Sequence, residues 1–162
     1  MQNGKKAYTK NKWPRKNLGE LVNFLEERHP EGLSLSAVAG VLGVKEGAVS
    51  NMFRHDDMHL RRVESIAQAY GYTLHLFFPV RELGDYEPSK PRVIYDDAGN
   101  LAGLVKYIQD SEYSLPFIAE QMKISSNTLR HAFRTGDIMM STLNQMLDAL
   151  GICMIWKFEK NA

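Results

Sequence analysis

One cysteine, Cys153, is all that this 162-residue chain contains, so no disulfide can form within it and no cysteine cluster can hold a metal. Its neighbours Ile152, Met154 and Ile155 are apolar, and we expect a small buried residue there rather than a reactive thiol. Also missing is any apolar run near the roughly 18 to 20 residues that a membrane span needs. The lysine-rich start has no apolar stretch behind it of the kind a secretory signal carries. These gaps lead to the expectation of a soluble protein inside the cell, with no membrane partner. The marks of catalysis are equally sparse: no glycine-rich phosphate loop and no nucleophile elbow. His55 and His59 stand four apart, but they straddle an expected loop and lack a third ligand. His75 falls in an apolar strand-like stretch, as an outward-facing residue rather than a catalytic base. We expect no enzyme, no metal and no cofactor.

What is present is ordinary globular material. Apolar residues make up 44% and charged residues 24%, enough of the former to build a core and to argue against wholesale disorder. The net charge of +1 conceals an asymmetry. Lys5, Lys6, Lys10, Lys12, Arg15 and Lys16 precede Asn17 without an acidic residue among them, leaving 14 basic against 19 acidic residues in the remainder. A basic arm on a mildly acidic body suits contact with a phosphate backbone or a minor groove. A solvated terminus is the competing reading of equal weight.

The chain also repeats itself. Placing Ser34-Leu35 over Ser114-Leu115 sets an offset of 80 that holds without a gap to Phe78 over Phe158. Ala39 meets Ala119, Phe53-Arg54 meets Phe133-Arg134, Asp57 meets Asp137 and Gly71 meets Gly151. Upstream, Asn17-Leu18 falls over Asn100-Leu101 at a slightly larger offset, absorbed by the turn His29-Pro30-Glu31-Gly32. Residues 81–99, with Gly84, Pro88, Ser89, Pro91, Asp96, Asp97 and Gly99, read as a linker holding at most a short strand at Val93 to Tyr95. The expected organisation is a basic arm over 1–16, one repeat over 17–80, the linker over 81–99 and a second repeat over 100–162.

Each repeat reads as four helices and a strand. Leu18, Leu21, Val22 and Leu25 recur at helical spacing, as do Leu101, Leu104, Val105 and Ile108. Ser34 and Ser114 are good caps for a short second helix, and Pro116 is tolerable in its first turn. Val49 with Phe53, and Leu129 with Phe133, mark a third helix from Lys45 or Ser125 onward. Leu60 to Tyr70 and Met140 to Leu150 form a fourth, closed by Gly71 and Gly151. Tyr72 to Phe78 and Ile152 to Phe158 then have strand composition.

A short helix, a tight turn at Gly43 and a second short helix with Val49 facing the first form a helix-turn-helix arrangement. Through Ala39, Gly43, Val44 and Val49, and Ala119, Ile124 and Leu129, the chain resembles the Cro/C1 (XRE-like) repressor family. The resemblance covers most of both repeats and leaves the arm and linker outside it. The family pattern needs a small residue where the helices cross and an apolar plug in the angle between them. The second repeat departs from it, with Lys123 at the glycine position.

The resemblance implies a mainly α fold of two tandem four-helix helix-turn-helix domains, each ending in a β-strand that pairs into a small sheet. It also implies that the third helix enters the major groove of double-stranded DNA. Carried over by position, the reading residues are Lys45, Glu46, Ser50, Asn51 and Arg54 in the first repeat, and Ser125, Ser126, Asn127, Thr128, Arg130, His131 and Arg134 in the second. For any one of them a solvated helix face is the competing reading. Ser125 is a good cap followed by groups that bond base edges or phosphates, whereas Lys45 caps poorly and Glu46 repels phosphate. We therefore expect the second repeat to read more strongly. Arg54 and Arg134 clamp phosphates or cap the last carbonyls of their helices.

The terminal strands should pair, within the chain or between two chains as a homodimer, so that the two third helices lie about an approximate two-fold axis. The expected function is a repressor-like, sequence-specific transcriptional regulator acting as a covalent pseudo-dimer, cytoplasmic and nucleoid-associated. An antitoxin-like module that binds a protein partner through the same fold is the alternative.

Overall fold

The computed structural model describes residues 13–80, 92–94 and 99–162. Helix accounts for 56% of the described residues, in eight helices, as the periodicity predicts. The chain order is α1 (Gly19–Arg28), α2 (Leu35–Leu42), α3 (Glu46–Arg54), α4 (Leu60–Ala69), β1 (Tyr72–Val80), β2 (Arg92–Ile94), α5 (Ala102–Asp110), α6 (Leu115–Met122), α7 (Ser126–Thr135), α8 (Met140–Leu150) and β3 (Ile155–Lys160). Two compact units result. The first takes the described residues to Thr73 with Met139–Ser141 and Lys160–Ala162; the second takes the described residues of Leu74–Ile138 and Thr142–Glu159.

In the first unit, α1 buries Leu21, Val22, Phe24 and Leu25. Its start is capped from a distant part of the chain. The carboxylate of Asp56 accepts from the backbone N–H groups of Asn17 and Leu18, each at 2.8 Å, and Asn17 Nδ2 returns a bond to the Asp56 carbonyl. Asp56 is 5% exposed and sits at φ 57, where an L-residue is strained. The N–H of Leu18, buried, and that of Asn17, partly so, need acceptors, and this gives the Asp56 side chain its role. Ser34 caps α2 as expected, its Oγ accepting from Ala37 N at 3.1 Å. Gly43 ends α2 at φ 68, and Val44 N donates to Ala39 O at 3.1 Å, closing the helix in a Schellman turn. Val49 and Phe53 of α3, at 0% and 1% exposure, pack the angle against α2, which also packs on α4.

One aromatic cluster of this unit, Phe24, Tyr70 and Tyr72, lies at the far end of α1. The guanidinium of Arg28 lies 3.8 Å from the Phe24 ring centre and 4.2 Å from that of Tyr72, a double cation–π contact. His29 Nε2 and the Tyr70 hydroxyl share a 2.7 Å hydrogen bond, and burial pushes the Tyr70 phenol above its ordinary value of 10.0. Residues Met139–Ser141 join the unit through a bridge to His59, while Ser141 N and Oγ donate to the Asp57 carboxylate at 2.9 and 2.6 Å.

The second unit repeats the helical part and adds the sheet. Ser114 caps α6 through Phe117 N at 3.2 Å, with Pro116 in the first turn. Lys123 ends α6 in the same left-handed conformation as Gly43, at φ 60 and ψ 43, and Ile124 N donates to Ala119 O at 3.0 Å. The turn keeps its shape without glycine, so the lysine carries the backbone strain. In the sheet β1 lies between β2 and β3. β1 and β2 are antiparallel, with Phe78 opposite Ile94 and Val80 opposite Arg92. The short linker strand thus begins one residue earlier than its composition suggests, and Tyr95 lies outside the described residues. Leu74, Leu76 and Phe78 bury one face of β1. Asn100 holds its edge, accepting from Leu76 N at 2.8 Å and donating to Leu74 O at 3.0 Å. The two terminal strands do pair within one chain, and His75 Nε2 meets Glu159 Oε1 at 2.9 Å.

Cys153 is a correction: it is exposed, not buried. Ile152 N donates to Leu147 O at 2.9 Å, so the chain leaves α8 through a Schellman turn in which Ile152, 7% exposed, is the apolar plug. β3 therefore starts only at Ile155, and the residue after the plug turns to solvent.

Candidate nucleic-acid interface

The expected reading residues lie on α3 and α7, one in each unit, and both helices divide into a packed and an open face. On α7, Leu129 and Ala132 are buried, which turns Asn127, Thr128, Arg130, His131 and Arg134 outward, and all five are exposed. Ser125 and the half-buried Ser126 stand at the head of the helix. Ser125 Oγ accepts from Asn127 N at 3.1 Å, fixing the first turn with its remaining N–H groups directed outward. Arg130 Nη1 donates to Asn127 Oδ1 at 3.1 Å and to Ser126 Oγ at 3.5 Å. Arg134 Nη2 approaches His131 Nδ1 at 3.4 Å. These links join residues three or four apart, so the polar side chains are aligned along one stripe. The stripe carries two arginines and no carboxylate, an anion-attracting surface at a helix start that itself favours anions.

α3 presents a thinner surface. Lys45 occupies the cap position without making a side-chain cap bond. Glu46, Gly47 and Ala48 follow it in the open, where the second repeat has Ser126, Asn127 and Thr128. Ser50 is half-buried, and Asn51 and Arg54 are exposed, with Arg54 Nη2 donating to Asn51 Oδ1 on the same helix. Both conserved-by-repeat arginines, Arg54 and Arg134, thus use side chains of their own helix as partners. The guanidinium groups are pre-set at the exposed surface.

Of the basic arm, Lys5, Lys6, Lys10 and Lys12 lie outside the described residues. Arg15 is not on a free arm: its guanidinium donates to Asn23 Oδ1 at 2.9 Å and pairs with Glu26 at 3.1 Å, both on α1. Lys16 is exposed. Trp13 stacks on Phe53, ring centres 5.0 Å apart and planes 11° from parallel, so the segment entering α1 belongs to the packed structure. His55 and His59 end α3 and start α4 as exposed flanking residues, and no group of three metal-ligating side chains occurs among the described residues. No helix among them is long and apolar enough to cross a membrane.

The sequence reading missed one feature of the second unit. A cavity of about 350 Å³ is lined by Val105, Ile108, Tyr113, Leu115, Arg130 and Phe133. Beside it Tyr113 and Phe117 stack at 6.0 Å, exposed by 39% and 46%. The available signal was the replacement of Leu33 and Ala37 by these two aromatics at the matching positions. Comparison with known protein families, with curated proteins and with solved structures finds no match to this chain.

Proposed function

We propose that this protein is a repressor-like, sequence-specific DNA-binding regulator built from two tandem helix-turn-helix modules. One polypeptide then does the work of a dimer. The observation that carries the reading is the face of α7: a serine-capped start followed by an aligned, exposed stripe of Asn127, Thr128, Arg130, His131 and Arg134. Asn and Arg are the side chains that pair with adenine and guanine edges in the major groove, and the capped helix end receives a phosphate. α7 is the principal reader, and α3 contributes Lys45, Ser50, Asn51 and Arg54 to backbone contact. On this reading the protein acts at the nucleoid.

The test is fluorescence anisotropy with mixed-sequence duplex DNA across a salt series. The full chain is compared with one starting at Trp13, a truncation that keeps the Trp13 and Arg15 contacts. With two to four phosphate contacts, affinity should fall by roughly 10- to 100-fold between about 50 and about 200 mM salt, and the shortened chain should bind more weakly with a shallower slope. Absence of binding at low salt would overturn the reading. It would favour a protein-interaction module, the alternative that the Glu46-Gly47-Ala48 front of α3 supports, being poor in donors and carrying a negative charge.

A further inference from the structure

We infer that the cavity of the second unit is a binding site for a small planar aromatic carboxylate, of one ring or two fused rings. The two repeats treat the same phenylalanine in opposite ways. In the first, Phe53 is closed to 1% exposure, with the indole of Trp13 stacked on it. In the second, Phe133 stands at the matching position, is only half-buried, and lines the open cavity. Trp13 reaches Phe53 from four residues before Asn17, whereas among the described residues no ring stacks on Phe133. A flat aromatic surface that the first repeat covers with Trp13 lines, in the second, a cavity that no ring among the described residues fills, and a ligand of the same shape fits it.

The walls select the chemistry. Val105, Ile108, Leu115 and Phe133 offer only carbon, so a sugar or a nucleotide phosphate would lose its water without compensation. A volume of about 350 Å³ is at the small end of ligand pockets, room for an indole-sized body. The one charged group in the lining is Arg130, whose guanidinium is held by the neutral Asn127 and Ser126 side chains. Its charge is therefore open to an anion at the mouth, while a cationic ligand is repelled. Tyr113, on the same rim, extends the aromatic surface.

The inference shares Arg130 with the DNA reading but does not rest on it, and its test contains no DNA. The full chain is titrated with indole-3-acetate and, separately, with neutral indole, following backbone amide shifts by NMR. The expected result is saturable shifts at α5 and α7 around Ile108 and Phe133, and none around Phe53. The acid should bind at least about tenfold tighter than indole, the lower end of the scale for one hydrogen bond to a charged group. Arg130→Gln, a change at an exposed side chain that leaves the packing intact, should bring the two probes to parity. Val105→Phe, filling the cavity, should abolish both. No saturable shift with either probe, equal binding of acid and indole to the unaltered chain, or shifts centred on Phe53 would overturn the proposal.

Discussion

The two repeats share a backbone plan and differ in how they meet the same local demands. After α3 the chain must turn left-handed. The first repeat does this with Asp56, whose carboxylate then caps α1, and the second with Gly136 at φ 73, which has nothing to cap with. After α2 the roles reverse: Gly43 takes the left-handed position without cost in the first repeat and Lys123 takes it under strain in the second. The third helices diverge most, since α3 opens with Glu46-Gly47-Ala48 and α7 with Ser126-Asn127-Thr128. The first repeat has invested in closing its own core, and the second in an exposed polar stripe beside an open apolar cavity.

The sharpest way to break this comparison is at the left-handed turns. Asp56→Ala removes the acceptor of one buried and one part-buried N–H group and keeps the unfavourable backbone angle, so it should cost about 3 kcal/mol in urea unfolding. Gly136→Ala should cost only about 1 kcal/mol, the backbone term alone. Equal losses would mean that the cap contributes little. Next in size is the proposed DNA binding: on that proposal Arg130→Ala should weaken it by roughly 10- to 100-fold, whereas Ser50→Ala at the matching position should change it less than about twofold. Anisotropy on one duplex checks both, and a larger loss from Ser50 would reverse the ranking of the two helices.

Smaller effects sharpen the same contrast. Lys123→Gly should stabilise the chain by about 0.5 kcal/mol, the relief of strain offset by a freer unfolded chain, while Gly43→Ala should destabilise it by about 1 kcal/mol. Both read out as shifts in the urea midpoint. The smallest expected effect is at alkaline pH. Burial raises the Tyr70 phenol above 10.0, so the folded state holds that proton more tightly than the unfolded chain. The stability it contributes is complete below pH 10.0 and is lost as pH rises from there through the folded value. Tyr70→Phe should flatten that alkaline decline. Leu150, at the matching position of the second repeat, has no proton to lose.

Periodicity and caps make the helices legible in the sequence, because Leu21 with Leu25 on α1 and Val49 with Phe53 on α3 each recur on one face, and Ser34, Ser114 and Ser125 bond the first turns they precede. Cys153 was misjudged because apolar neighbours do not reveal the phase of a strand. The Schellman turn at Gly151 used Ile152 as its plug and delayed β3 by three residues. The open face of α7 was legible, since Leu129 fixes which side is packed. The cavity was not: its walls run from Val105 on α5 to Phe133 on α7, and a sequence records the residues present at a position more readily than the space beside them. Asp56 escaped notice for a related reason, its partners being Asn17 and Leu18, some 38 to 39 positions away.

The first unit also contains Asn161, whose N–H donates to Gly71 O, whose Nδ2 donates to Gln68, and whose Oδ1 accepts from Thr73 Oγ1, 88 positions earlier. A ribosome adding about 5 to 20 residues per second reaches Asn161 roughly 4 to 18 seconds after Thr73. During that interval the Gln68 amide oxygen, the Thr73 hydroxyl and the Gly71 carbonyl lack their Asn161 partner, and Asp57 waits almost as long for Ser141. The first unit, made largely ahead of the second, is therefore finished only after the second has been made.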